Sequence, residues 1–154
     1  MGKRKLVLIF FALTLTLGGC GHKQSKGMQD GTYTAQMSDY AFGWKEYVTI
    51  TVNNGEITAT EYNAENASGF IKSWDNAYMN NMKSVTGTYP NEYTRYYAAQ
   101  LTGQNALPEI DTLSGASTSG NNFKKLARSV VEQAIKGDST IVYVKSEPET
   151  ALEN

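Results

Sequence analysis

Apolar residues change their spacing along this chain, and the changes mark its elements. Leu6 to Leu17 is an almost unbroken apolar run, interrupted only by Thr14 and Thr16. From Gly31 to Ser38 the pattern becomes an alternation, with Tyr33, Ala35 and Met37 on one face. Tyr47 to Asn53 alternates more clearly: Val48, Ile50 and Val52 point one way, Thr49 and Thr51 the other. A period of two puts one face against a core and the other in water, as in a half-buried strand. Asn54-Gly55 follows, a pair that tolerates the positive φ angles of a type I′ turn. Glu56 to Tyr62 then resumes as a strand with Ile57 and Ala59, so a β-hairpin is predicted.

Beyond this hairpin the spacing turns helical. Ser68 is expected to cap a helix from about Gly69 to Lys83, with Phe70, Trp74, Ala77 and Tyr78 on one face. A second helix is expected from near Pro90 to near Gly103, packing Tyr93, Tyr96, Tyr97 and Leu101. Phe123, Leu126, Ala127, Val130, Val131 and Ala134 form a third stripe, ended by Gly137. Thr140 to Lys145 reads as a closing strand. These elements predict an α+β domain, a small antiparallel sheet starting with a β-hairpin and packed with two to three helices.

The N-terminal run changes the picture from a plain globular chain to an exported one. Lys3, Arg4 and Lys5 precede it, and Leu17-Gly18-Gly19-Cys20 closes it. A membrane-spanning helix needs about 20 apolar residues, so this shorter run reads as a cleaved export signal. The closing tetrapeptide matches a bacterial lipobox, with leucine at −3, small residues at −2 and −1 and cysteine at +1. Cys20 is therefore expected to be the lipidated first residue of the mature chain. The plainer alternative is an ordinary secretory signal with a chance cysteine. The expected organisation is a lipoprotein signal peptide (residues 1–19), a lipidated linker (20–29), one domain (30–145) and a disordered tail (146–154). The linker reaches about 30 Å when extended, at roughly 3.4 Å per residue.

Composition narrows the chemistry. Cys20 is the one cysteine of the 154 residues, so lipidation leaves no thiol for disulfides, thiol redox chemistry or a cysteine metal site. His22 is the one histidine and falls in the polar linker, where it reads as solvated. With no Ser/His/Asp or paired-carboxylate constellation, no catalytic residue and no metal site is assigned. Any redox chemistry would need a bound organic cofactor. The chain carries 14 basic and 15 acidic residues, and loss of the three basic residues of the signal leaves a net charge of −4. No basic stripe points to nucleic acid.

The remaining signal is Asp111-Thr112-Leu113-Ser114-Gly115-Ala116-Ser117, directly before the third helical stripe. An acid is followed by small residues and a terminal hydroxyl, and a helix N-terminus offers unpaired N–H groups to a phosphate. Thr118 or Ser119 is expected to cap that helix. Lys124 and Lys125 replace the usual first-turn acids, which suits either a nearby anion or a solvated face. The stretch resembles the flavinylation motif of FMN-binding domains, Asp-x-x-Ser/Thr-Gly-Ala-Thr/Ser. Asp30-Gly31-Thr32-Tyr33 and the Asn54-Gly55-Glu56-Ile57 turn also resemble the start of that domain. The resemblance spans about residues 30–144 and is weakest over 65–107.

The resemblance implies FMN as cofactor, attached to Ser117 by a phosphoester by a dedicated transferase that uses FAD. Asp111, Ser114, Gly115, Ala116 and Thr118 would complete the cofactor-binding stretch, with Asp111 helping to activate the hydroxyl or to hold the transferase's metal. Most family sites end in threonine; serine offers the same nucleophile, and non-covalent FMN in the same pocket is the alternative. Related domains serve sodium-translocating NADH:quinone reductases, ferredoxin-linked complexes and surface lipoproteins of extracellular electron transfer. The resemblance thus implies a lipid-anchored electron carrier on the extracytoplasmic face of the cell membrane, rather than a stand-alone enzyme. A membrane donor such as a quinone-linked reductase would reduce it. The rival class is a flavin-free ligand-binding or adhesive surface lipoprotein.

Overall fold

The computed structural model describes residues 27–146. The signal run, Cys20, His22 and the tail after Ser146 lie outside the described residues. Three strands open the domain: β1 (Gly31–Met37), β2 (Lys45–Asn53) and β3 (Glu56–Glu65). Tyr33, Ala35, Met37, Val48, Ile50 and Val52 are all buried on one face, as their alternation predicts. Asn54 and Gly55 both take positive φ, 52° and 75°, and close the hairpin between β2 and β3.

The inward face of β3 changes part-way along. A register shift between Thr51 and Val52 pairs Val52 with Ile57 but Thr51 with Ala59, leaving Thr58 as the extra residue. Such a bulge breaks the two-residue period. Ile57 is therefore buried, Ala59 is exposed, and Tyr62 and Ala64 turn inward.

Three helices follow: α1 (Asn76–Thr86), α2 (Pro90–Leu101) and α3 (Ser117–Lys136). A final short strand, β4 (Val142–Val144), pairs in parallel with β1. The sheet order is β3-β2-β1-β4, so the sheet is mixed rather than wholly antiparallel, within the expected α+β class. A long crossing helix precedes β4, and this permits the parallel pairing that a tight turn could not make.

α3 lies across β1 and β2, while α2 packs on β3. The apolar stripe of α3 is buried throughout, and Gly137 ends the helix in the left-handed conformation. Tyr93, Tyr97 and Leu101 of α2 are buried with it, whereas Tyr96 lies at the surface. Tyr62, Tyr97 and Phe123 meet ring to ring between the two layers. At the far end of α3, the N–H of Gln29 donates to the carbonyl of Ala134 at 2.9 Å, so the chain enters the domain beside the C-terminal end of that helix.

The first helix departs from its expected limits. Ser68 does not cap it. Asn66 instead accepts from the N–H groups of Ser68 and Phe70 and holds a turn. A 3₁₀ turn over Lys72–Trp74 comes next, and the Asp75 carboxylate caps α1 by accepting from Tyr78 N–H. Phe70 and Trp74 fit the helical spacing but lie before α1 and are exposed. No residue of α1 is fully buried; the helix covers the domain through the half-buried Tyr78 and Met82.

Candidate functional site

The small-residue motif sits at the N-terminal end of α3, and two buried tyrosines fix it there. The Tyr97 hydroxyl donates to the Ala116 carbonyl at 3.0 Å and accepts from Leu113 N–H at 3.0 Å. The Tyr62 hydroxyl donates to the Ser119 carbonyl at 2.8 Å. Gln100 accepts from Asp111 N–H and donates to the Asp111 carbonyl, so α2 holds the start of the motif as well. Two glycines allow the close approach. A Cβ at Gly120 would strike the Tyr97 hydroxyl, and one at Gly115, whose φ is +79°, would strike the Thr86 carbonyl.

Tyr97 thus carries two backbone groups of the motif on one oxygen. Tyr97→Phe keeps the ring packing and removes both bonds. Unmatched buried polar groups cost about 1–3 kcal/mol, so a loss of that size is expected in urea unfolding. An unchanged midpoint would mean that solvent replaces both bonds.

Ser117 is the first residue of α3, and the residue before it, Ala116, provides no side-chain cap. The expected capping by Thr118 or Ser119 is not made: both lie inside the helix, because the helix begins earlier than its apolar stripe. The first-turn N–H groups and the positive end of the helix dipole therefore have no capping oxygen. The side chains of Ser117 and Thr118 are exposed. Gly115, Ala116, Ser117 and Thr118 line one wall of a cleft of about 640 Å³. Asp111 and Ser114 are exposed on the preceding loop and do not line it.

The rest of the cleft comes from distant segments. Trp44 and Tyr78 face it and pack edge to face, with ring centroids 5.9 Å apart. Phe42 stands at its mouth on the two-residue turn closed by Ala41 and Trp44. Phe42 and Gly43 both have positive φ, 50° and 80°. That conformation is costly for a bulky residue, and it holds an aromatic ring out over the cleft.

Two buried charges complete the lining, Glu46 and Lys72, each about 8–9% exposed. The Glu46 carboxylate accepts from Ser119 Oγ at 3.0 Å and from Asn122 Nδ2 at 2.7 Å. Burial pushes its pKa above the usual carboxylate range; Lys72 and hydrogen bonding from Asn122, Ser119 and Tyr62 oppose that rise without cancelling it. The Lys72 Nζ lies 4.8 Å from the centre of the Tyr78 ring and 5.9 Å from that of Trp44. Burial works against the ammonium, but nearby Tyr93, Tyr78 and Glu46 keep its pKa raised.

A raised acid pKa has a definite sign in stability. Between the unfolded and folded pKa values the folded chain holds more protons, so stability falls as pH rises through that window. Glu46→Gln removes this term. The variant is expected to gain stability relative to wild type on going from pH 4 to pH 7 in paired urea titrations. Parallel curves at both pH values would refute a buried carboxylate that ionises at a cost.

Neither charge was among the residues expected from the sequence. Glu46 had a usable signal, since it continues the inward face of Val48, Ile50 and Val52 by one more step. Lys72 had none, because a 3₁₀ turn leaves no periodicity.

No family model matches this chain. It is similar to the 15 kDa lipoprotein of Treponema pallidum, 28% identical over 135 residues, covering 86% of this chain and 94% of that one. That relative's name supports a lipoprotein. Among solved structures, the crystal structure of the CPE2226 protein from Clostridium perfringens matches with a TM-score of 0.73 and 33% identity, over 78% of this chain and 99% of that one. The fold and cleft thus define an α+β domain with a built pocket at a helix N-terminus. The chain belongs to the same family as that clostridial protein. A solution structure from Clostridium thermocellum aligns at 27% identity over 70% of this chain and 92% of that one, with a TM-score of 0.41.

Proposed function

We propose that the chain is a membrane-anchored, extracytoplasmic FMN-binding lipoprotein that carries electrons, with the flavin linked by phosphoester to Ser117. One observation carries this reading: an uncapped helix N-terminus with an exposed hydroxyl at its first position opens onto an aromatic-walled cleft. A phosphate at Ser117 would meet the N–H groups of the first turn. The cleft falls within the roughly 300–1,000 Å³ of small-molecule sites. Trp44, Tyr78 and Phe42 suit a planar ring, and the open mouth leaves an edge for electron exchange. Bound flavin supplies the redox chemistry; the residues of the chain hold it, exclude water from one side and set the charge around it.

Asp111 lies outside the cleft, which fits a role in recognition by a FAD-using transferase rather than in contact with the ring. The motif loop is exposed at Asp111, Ser114 and Ser117, as transfer by another enzyme requires.

The testing experiment is the intact mass of the mature chain co-produced with a flavin transferase and FAD. A mass increase of one FMN moiety that survives denaturation is expected. Bound flavin lost on denaturation would leave the non-covalent form, and no flavin at all would leave the ligand-binding or adhesive lipoprotein. Lipid attachment is tested separately. Cys20→Ser should abolish lipid modification and signal processing at that site, read by labelled-fatty-acid incorporation. Wild-type chain that is released without lipid would overturn the anchor.

A further inference from the structure

Lysines are seldom buried, because desolvating an ammonium is unfavourable, yet Lys72 is only about 9% exposed. Here the side chain lines the cleft, and its Nζ lies over Tyr78 and near Trp44. Its platform is stiff. Asn63 Nδ2 donates to Ser73 Oγ at 2.8 Å, and Ile71 bridges to Glu65, so the 3₁₀ turn is tied to β3 on both sides of Lys72. The titratable groups facing it are the carboxyl of Glu46 from β2 and the phenols of Tyr78 from α1 and Tyr93 from α2. Glu46 is already committed to Ser119 and Asn122 of α3. The ammonium is thus a fixed positive charge at the aromatic end of the cleft, held away from bulk water.

We infer that Lys72 is a positioning residue that raises the reduction potential of the flavin held in this cleft, an inference that rests on the flavin reading above. The oxidised ring is neutral. Uptake of two electrons and one proton gives a reduced ring with one added negative charge. A fixed cation beside it stabilises that charged form more than the neutral one, and the low local dielectric strengthens the effect. Aromatic walls alone would bind both forms without this bias.

The test is a potentiometric titration of flavin-loaded protein, with dithionite as the electron source, solvent as the proton source and dye mediators. Lys72→Met is expected to lower the midpoint by at least a tenfold change in the reduced-to-oxidised ratio, about 30 mV for a two-electron couple. Lys72→Gln, which keeps a polar tip in the same space, should shift the same way. Lys72→Arg should stay near wild type, because it keeps the charge; a residue that only fills space would not be rescued by it. Flavin-loaded neutral variants with the wild-type midpoint would overturn the inference alone, as would an arginine variant that shifts as far as methionine. A wild-type chain that takes up no flavin would overturn the flavin reading and this inference with it.

Discussion

Ser117→Ala is expected to remove all flavin that survives denaturation while leaving the domain folded. The hydroxyl is exposed, and Ala116, not Ser117, occupies the cap position of α3. Its loss therefore takes away a nucleophile and no structural bond, and surface changes of this kind stay within about 0.5 kcal/mol. Ser117→Thr should retain the linkage, since threonine offers the same oxygen. The competing acceptors are Ser114, Thr118 and Ser119. Ser114 lies off the cleft, and the Ser119 hydroxyl is engaged with Glu46, so Thr118 is the strongest rival. Peptide mapping of the flavin-loaded wild type decides among them. A phosphoester on Thr118 would move the site by one residue and keep the function.

Ile50→Ala is expected to be strongly destabilising. Ile50 is fully buried at the centre of β2, opposite Tyr33 of β1 and Thr60 of β3, under the apolar stripe of α3. Removing its methylene and methyl groups leaves a cavity between sheet and helix, at a cost of about 2–5 kcal/mol. Urea unfolding followed by circular dichroism measures this. A loss below the measurement error would place Ile50 on the outer face of the sheet.

Legibility followed regular spacing. β1, β2 and α3 each bury one unbroken face, so Tyr33, Val48, Ile50, Phe123 and Val130 could be placed from the chain alone. Side-chain capping and bulges break that spacing. Asp75, rather than Ser68, starts α1, and nothing in the period of Phe70 and Trp74 distinguishes a helix from a 3₁₀ turn that precedes one. Thr58 displaces Ala59 outward through a backbone irregularity that local alternation does not record. The parallel pairing of β4 is a consequence of the path of α3 rather than of the composition of β4. In the candidate site, Gly115 to Thr118 could be placed by contiguity. Trp44, Glu46, Lys72 and Tyr78 join them only through the folded chain, since they come from three other segments.

The entry of the chain beside Ala134 carries a consequence for orientation. α3 spans 20 residues, about 30 Å at 1.5 Å per residue. Its C-terminal end meets Gln29, and its N-terminal end holds the cleft. On the lipid-anchored flavoprotein reading proposed above, the tether would leave from one pole of the molecule and the cofactor would stand at the other. A domain hung upright from such a leash would present its open edge outward to soluble partners. It would have to tip over to meet a donor embedded in the bilayer.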